Sequence, residues 1–155
     1  DAELRSGGQG AGISVRDKFD YDCCLYALLH RELTPAHWDV LVAKYSTHKA
    51  NKVAAIGRLA TRITSPAAQL FIYKALTAWA IPKLKGAQSG KRSTDMIVLP
   101  AEFYDMNTWD LEASPERTRH RWRAGIGKRL EALEEGAVIH ATEIFDVEEI
   151  FIDAA

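Results

Sequence analysis

Three times in this chain a hydroxyl residue stands directly before a proline: Thr34-Pro35, Ser65-Pro66 and Ser114-Pro115. Each time an apolar stripe of helical period follows. A Ser or Thr at the N-cap accepts a hydrogen bond from an otherwise orphaned backbone N–H. Proline at the first helical position gives up a donor that the helix does not use there. Repeated starts of this kind commit the chain to helices. The stripe after Thr34 is Trp38, Leu41, Val42 and Tyr45, spaced i, i+3, i+4, i+7. Ser46-Thr47 offers a break and a new cap. Residues 48–63 then place Val53, Ile56, Ala60 and Ile63 on one face and Lys49, Lys52, Arg58 and Arg62 on the other. After Ser65-Pro66, Ala68, Ile72, Ala75, Leu76 and Trp79 form a stripe that Pro82 ends. Upstream, residues 17–33 carry an approximate stripe through Phe19, Cys23, Tyr26, Ala27 and Leu29.

Residues 83–95 (KLKGAQSGKRSTD) are polar, basic and Gly/Ser-containing, as in a linker or loop. The apolar run 96–99, ended by Pro100, reads as a strand fragment or as an extended segment on the core. Residues 101–110 read as a short helix or turn bearing Phe103, Tyr104 and Trp109. The third Ser-Pro start leads through Trp122, Ile126, Leu130, Leu133 and Ala137, with a kink or break expected near Gly136. Residues 138–152 form a further helix or partly a strand. The expected fold is therefore mainly α: a compact helical bundle lobe, then a helix-turn-helix-like segment, with room for one short strand pair. The expected divisions are a flexible Gly-rich tail 1–16, a helical lobe 17–82, a basic linker 83–95, and a second lobe 96–155 ending in an acidic segment.

Apolar residues are 47% of the 155, enough for a sizeable core, and charged residues are 26%, as in globular proteins. No apolar run approaches the roughly 18–20 residues that span a bilayer, and residues 1–14 lack the pattern of a secretory signal. The two cysteines, Cys23 and Cys24, are adjacent, where a mutual disulfide is strained. A reducing, cytoplasmic setting in a bacterial host cell is expected. Trp38, Trp79 and Trp122 fall on core stripes and read as packing residues.

Catalytic signatures are missing: no phosphate-binding or dinucleotide loop, no G-x-S-x-G elbow and no H-E-x-x-H. An unrecognised active site would have to draw on His37, Asp39 or His120. Cys23, Cys24, His30 and His37 match no standard zinc spacing, and Asp146, Glu148, Glu149 and Asp153 lack a calcium loop. No cofactor, metal or catalytic role is expected.

The net charge of −1 hides a block pattern. Residues 31–94 hold 11 Lys/Arg against Glu32 and Asp39. Residues 115–130 hold six basic residues against Glu116, and residues 131–155 hold eight acids and no Lys or Arg. Such asymmetry points to a polyanion-binding surface plus an acidic segment that folds back on it or faces another partner. Two basic surfaces are candidates. One is the helix of residues 114–133, with Arg117, Thr118, Arg119, Arg121, Arg123 and Lys128 as phosphate- and base-contacting residues. The other is Lys49, Lys52 and Arg58, extended by Lys91 and Arg92, which as point charges suit phosphates.

The segment SPERTRHRWRAGIGKRL (114–130) resembles the second half of the helix-turn-helix in sigma-factor region-four-like domains. FYDMNTWDLEA (103–113) is placed to supply the first helix. LTPAHWDVLVAKYS (33–46) is similar to the opening of small bacteriophage proteins of the Q-type antiterminator group. The resemblance implies a phage-type transcription regulator that contacts DNA through Arg117, Thr118, Arg119, Arg121 and Arg123, and engages RNA polymerase. The alternative is a non-catalytic adaptor that reaches a host protein through its acidic C-terminal segment.

Overall fold

Thr34 caps a helix as its place before proline implies: its Oγ1 accepts from the His37 N–H at 3.2 Å, and α2 runs Pro35–Tyr45. The computed structural model describes residues 23–83 and 97–148. The tail 1–16, residues 17–22, Lys91 and Arg92 in the linker, and residues 149–155 lie outside the described residues, as do the side chains of Cys23 and Cys24. Within the described residues the chain is mainly helical: α1 (Cys23–Glu32), α2, α3 (Lys49–Ala60), α4 (Gln69–Ala80) and α5 (Glu116–Val147), with two 3-10 turns at Ala101–Tyr104 and Met106–Thr108. No strand occurs among them.

The joint between α2 and α3 is built at Ser46-Thr47, with His48 as the cap. Its ring nitrogen accepts from Asn51 N–H at 3.3 Å, while Ser46 Oγ accepts from His48 N–H. The other two Ser-Pro pairs precede their helices without capping them. Ser65 Oγ closes a turn on Ala67 N–H, and α4 starts only at Gln69. Pro115 itself holds the extended N-cap position of α5, with no side-chain cap bond. Ser114 donates its N–H to Asp110 instead.

A single apolar cluster gathers Leu29, Val40, Leu41, Ile56, Leu59, Phe71, Leu76, Trp109, Ile126, Leu130 and Phe145. α5 packs on α2 and α4 and touches α1. On α3 the buried residues are Ala55, Ile56, Leu59 and Ala60, whereas Val53, expected on that face, is 51% exposed. Lys52, on the same face as Ala55, Ile56 and Leu59, reaches back to the carbonyls of Ala43 and Lys44 at the end of α2, and Val53 stands about 100° further round the helix.

The expected break near Gly136 does not occur: α5 is one helix of 32 residues, about 48 Å long. A Cβ at Gly136 would stand 3.4 Å from His37 Nε2, an ordinary contact, and the helix passes through this glycine unbroken. Ala137 and Ala141 are fully buried on the same side.

The segment placed to supply the first helix of a helix-turn-helix forms the two 3-10 turns. They strap across α4 and α5. Tyr104 Oη donates to Ile81 O, and the fully buried Trp109 donates its Nε1–H to Phe103 O at 2.8 Å. Phe71 meets both Trp109 and Trp122 edge-on, at 5.4 Å in each case. Ile97 and Leu99 belong to no helix or strand and are half-buried against the core.

Candidate nucleic-acid interface

The basic half of α5 splits by helical geometry into a solvent stripe and a fastened edge. Arg117, Arg121 and Lys128 are exposed and spaced by four and seven residues, which sets them on one face over about 16 Å. Ala124 lies between them, and Arg129 is exposed beside them. Arg119 faces the other way: it is half-buried and its Nη1 donates to Asn107 Oδ1 at 2.7 Å. Arg123 is exposed but rests on the Trp109 ring, 4.8 Å from its centroid. Thr118 is half-buried, and His120 lies 3.5 Å from Glu116. Of the residues expected on this helix, the structure brings Arg117, Arg121 and Lys128 together and turns Arg119 toward the 3-10 strap.

This charge pattern opposes the helix dipole. Cations are favoured at a helix C-terminus and anions at its N-terminus. Apart from Glu116, α5 has Arg117 and Arg119 in its first turn and Asp146 in its last. Along this one helix Glu131 and Glu135 continue the same face three and seven residues beyond Lys128, whereas Glu143 and Asp146 lie far from Arg121. Residues 121 and 143 are about 33 Å apart along the axis.

The second basic surface is used largely inside the fold. Lys52 caps α2, and Lys44 lies over the Trp79 ring while donating to its carbonyl at 3.0 Å. Burial holds the Lys44 ammonium below its ordinary range, against the opposing pull of Glu134 and Glu131. Arg58 donates to Asp39 Oδ1 at 2.9 Å, and Arg62 Nε stands 3.6 Å from Asp39 Oδ2. Lys49 is exposed.

Asp39, 1% exposed, sits in a half-open cleft of about 420 Å³ bounded by α1, α2 and α3. Its walls include Tyr26, His30, Trp38, Asn51, Arg58 and Arg62. The pattern of charges does not reveal this cleft. A detectable signal is that Asp39 is a lone acid beside Trp38 within a basic block. His37, Asp39 and His120 are not brought together. His37 faces α5, Asp39 the cleft, and His120 the solvent. Among the described residues no three His, Cys, Asp or Glu side chains group as a metal site, and no helix is long and apolar enough to cross a membrane.

His37 and His140 join α2 to α5, with their Nδ1 atoms 3.1 Å apart. Burial first, and the charge of His140 second, lower the His37 pKa below 6.5. The unfolded chain therefore takes up this proton before the folded one. The associated stability is complete above 6.5 and is lost as pH falls from there through the lowered folded-state value. Thermal midpoints should decline from roughly pH 7 to pH 5, and His37→Gln should flatten the decline. Parallel profiles in the two proteins would contradict this assignment.

Compared with known proteins, the chain matches no family model, no curated protein and no solved structure.

Proposed function

We propose that this protein binds duplex DNA through the exposed stripe Arg117, Arg121 and Lys128 of α5, with Arg129 and Arg123 at its edges. The observation that carries the reading is a row of exposed cations that makes no ion pair among the described residues, the first of them, Arg117, in the opening turn of α5, where a cation opposes the helix dipole. Folding draws little from such a row, whereas a polyanion is drawn to it. A single α-helix fits the major groove of B-form DNA, about 12 Å wide, but not the deep, narrow major groove of A-form RNA. Ala124 lets the helix backbone come close between the cations. The regulatory part of the reading is a phage-type transcription regulator of the antitermination kind that also meets RNA polymerase. It rests on the resemblance of residues 33–46 and 114–130. With 3-10 turns where a first helix was expected, one helix does the docking.

A labelled mixed-sequence duplex titrated across a salt series tests the interface. At roughly −0.9 for each phosphate contact, the three stripe cations give a log–log slope of about −2.7, and all five named cations about −4.5. Absence of binding at low salt would remove the proposal.

The acidic half of α5 supports a second surface. Ile139 is 54% exposed there and Val147 79%, amid Glu135, Glu143 and Asp146. A protein partner, RNA polymerase or another host factor, would dock on it. Neutralising the exposed acids together, Glu135→Gln, Glu143→Gln and Asp146→Asn, should then lose that partner in a pull-down while sparing DNA binding and the buried Phe145.

A further inference from the structure

The cleft between α1, α2 and α3 has features that a structural ion pair alone does not need. Two guanidiniums, Arg58 and Arg62, converge on one carboxylate that is 2% exposed, while they themselves remain 50% and 42% exposed. Asp39 neutralises one of the two charges and leaves one cation in excess at the mouth. Arg58 spends both its Nε and Nη2 contacts on the same oxygen, Asp39 Oδ1. Asp39 Oδ2 is buried and makes no hydrogen bond, with Arg62 Nε at 3.6 Å. The Arg62 side chain therefore stands short of the contact that would complete the pair.

The opposite wall is aromatic. His30 stacks on Trp38 with centroids 4.2 Å apart and planes 8° from parallel, and Tyr26 meets Trp38 edge-on at 4.8 Å. His30 is exposed, so its outer face offers a further ring a place to stack. Asn51, whose Nδ2 donates to Tyr26 Oη at 3.3 Å, stands on the α3 side of the cleft. The volume, about 420 Å³, lies in the range of small-ligand sites, roughly 300–1,000 Å³.

We propose that this cleft binds a nucleotide, its phosphoryl oxygens held by Arg58 and Arg62 and its base stacked on His30. Planar guanidiniums match phosphate oxygens with paired N–H donors, and the carboxylate that already fixes Arg58 lowers the entropic cost of binding. Phosphate drawing Arg62 inward also brings Nε onto Asp39 Oδ2. α5 contributes no wall to the cleft, so this site is independent of the DNA stripe.

The test is calorimetric titration of the full chain with adenosine 5′-monophosphate, adenosine, inorganic phosphate and a short single-stranded oligodeoxyadenylate. The monophosphate should bind with a Kd below about 1 mM, and adenosine and phosphate each at least about tenfold more weakly. Tighter binding of the oligonucleotide would assign the nucleotide to a single strand, and tighter binding of the monophosphate to a free ligand. Arg62→Gln should weaken binding at least about tenfold with an unchanged thermal midpoint, because the Arg62 side chain is exposed and its ion pair long. Arg121→Glu should leave binding of the monophosphate unaltered. The proposal is overturned if neither nucleotide form binds, if phosphate alone binds as tightly, or if Arg62→Gln binds like the parent.

Discussion

Truncating Trp109 to alanine should lower stability by about 3–5 kcal/mol, the range for large aromatic side chains removed from a packed core. Trp109 is fully buried, lies edge-on to Phe71, donates to Phe103 O and supports the Arg123 guanidinium. Alanine removes all four relations and leaves a cavity between α4, α5 and the strap. The neighbours that define this cavity are helices fixed elsewhere in the core, so they cannot close it cheaply. Trp109→Phe keeps the ring contact with Phe71 but loses the hydrogen bond, and should cost distinctly less, about 1–2 kcal/mol. Urea denaturation measures both, with the midpoint moving and the slope held. A loss below about 1 kcal/mol for the alanine variant would mean that the 3-10 segment is not the strap described above.

What could be read from the sequence divides along the distance between partners. The α2 stripe and its Thr34 cap were legible because period, cap and proline all act within a few residues of one another. The basic and acidic blocks were legible for the same reason. Which charges face solvent was not. Arg119 is turned by Asn107, Arg58 and Arg62 by Asp39, and Lys52 by the carbonyls of Ala43 and Lys44. Each of these partners belongs to another turn of the fold. Ser65 and Ser114 carry the same dipeptide as Thr34 yet do not cap. Ser65 is held in its own local turn and Ser114 by Asp110, so the hydroxyl was not at the residue before the helix. Gly136 favours a break on local propensity alone, but the packing of α5 against α2 and α4 keeps the helix continuous through it. The cleft was hidden for a related cause: α1, α2 and α3 must be assembled before Asp39 gathers its arginines.

Those same limits sharpen the interface, because only cations not committed to the fold remain for DNA. Reversing them together, Arg117→Glu, Arg121→Glu and Lys128→Glu, should reduce duplex affinity by at least about two orders of magnitude at low salt and flatten the salt slope. Stability should move the other way. Glutamate at position 117, in the first turn of α5, sits where the dipole favours an anion, a gain of about 0.3–1 kcal/mol. A triple variant that melts no lower than the parent yet no longer binds separates interface from fold, because a merely solvated face would leave duplex affinity as in the parent. Arg119→Ala is the internal contrast. It removes the bond to Asn107, loosens the 3-10 strap and should lower the thermal midpoint while retaining most of the affinity. Fluorescence anisotropy with one duplex, alongside thermal melts of the three proteins, decides the matter. Parent-like binding by the triple variant would transfer the DNA contact away from α5, whereas loss of binding confined to Arg119→Ala would place it on the strap edge of the helix.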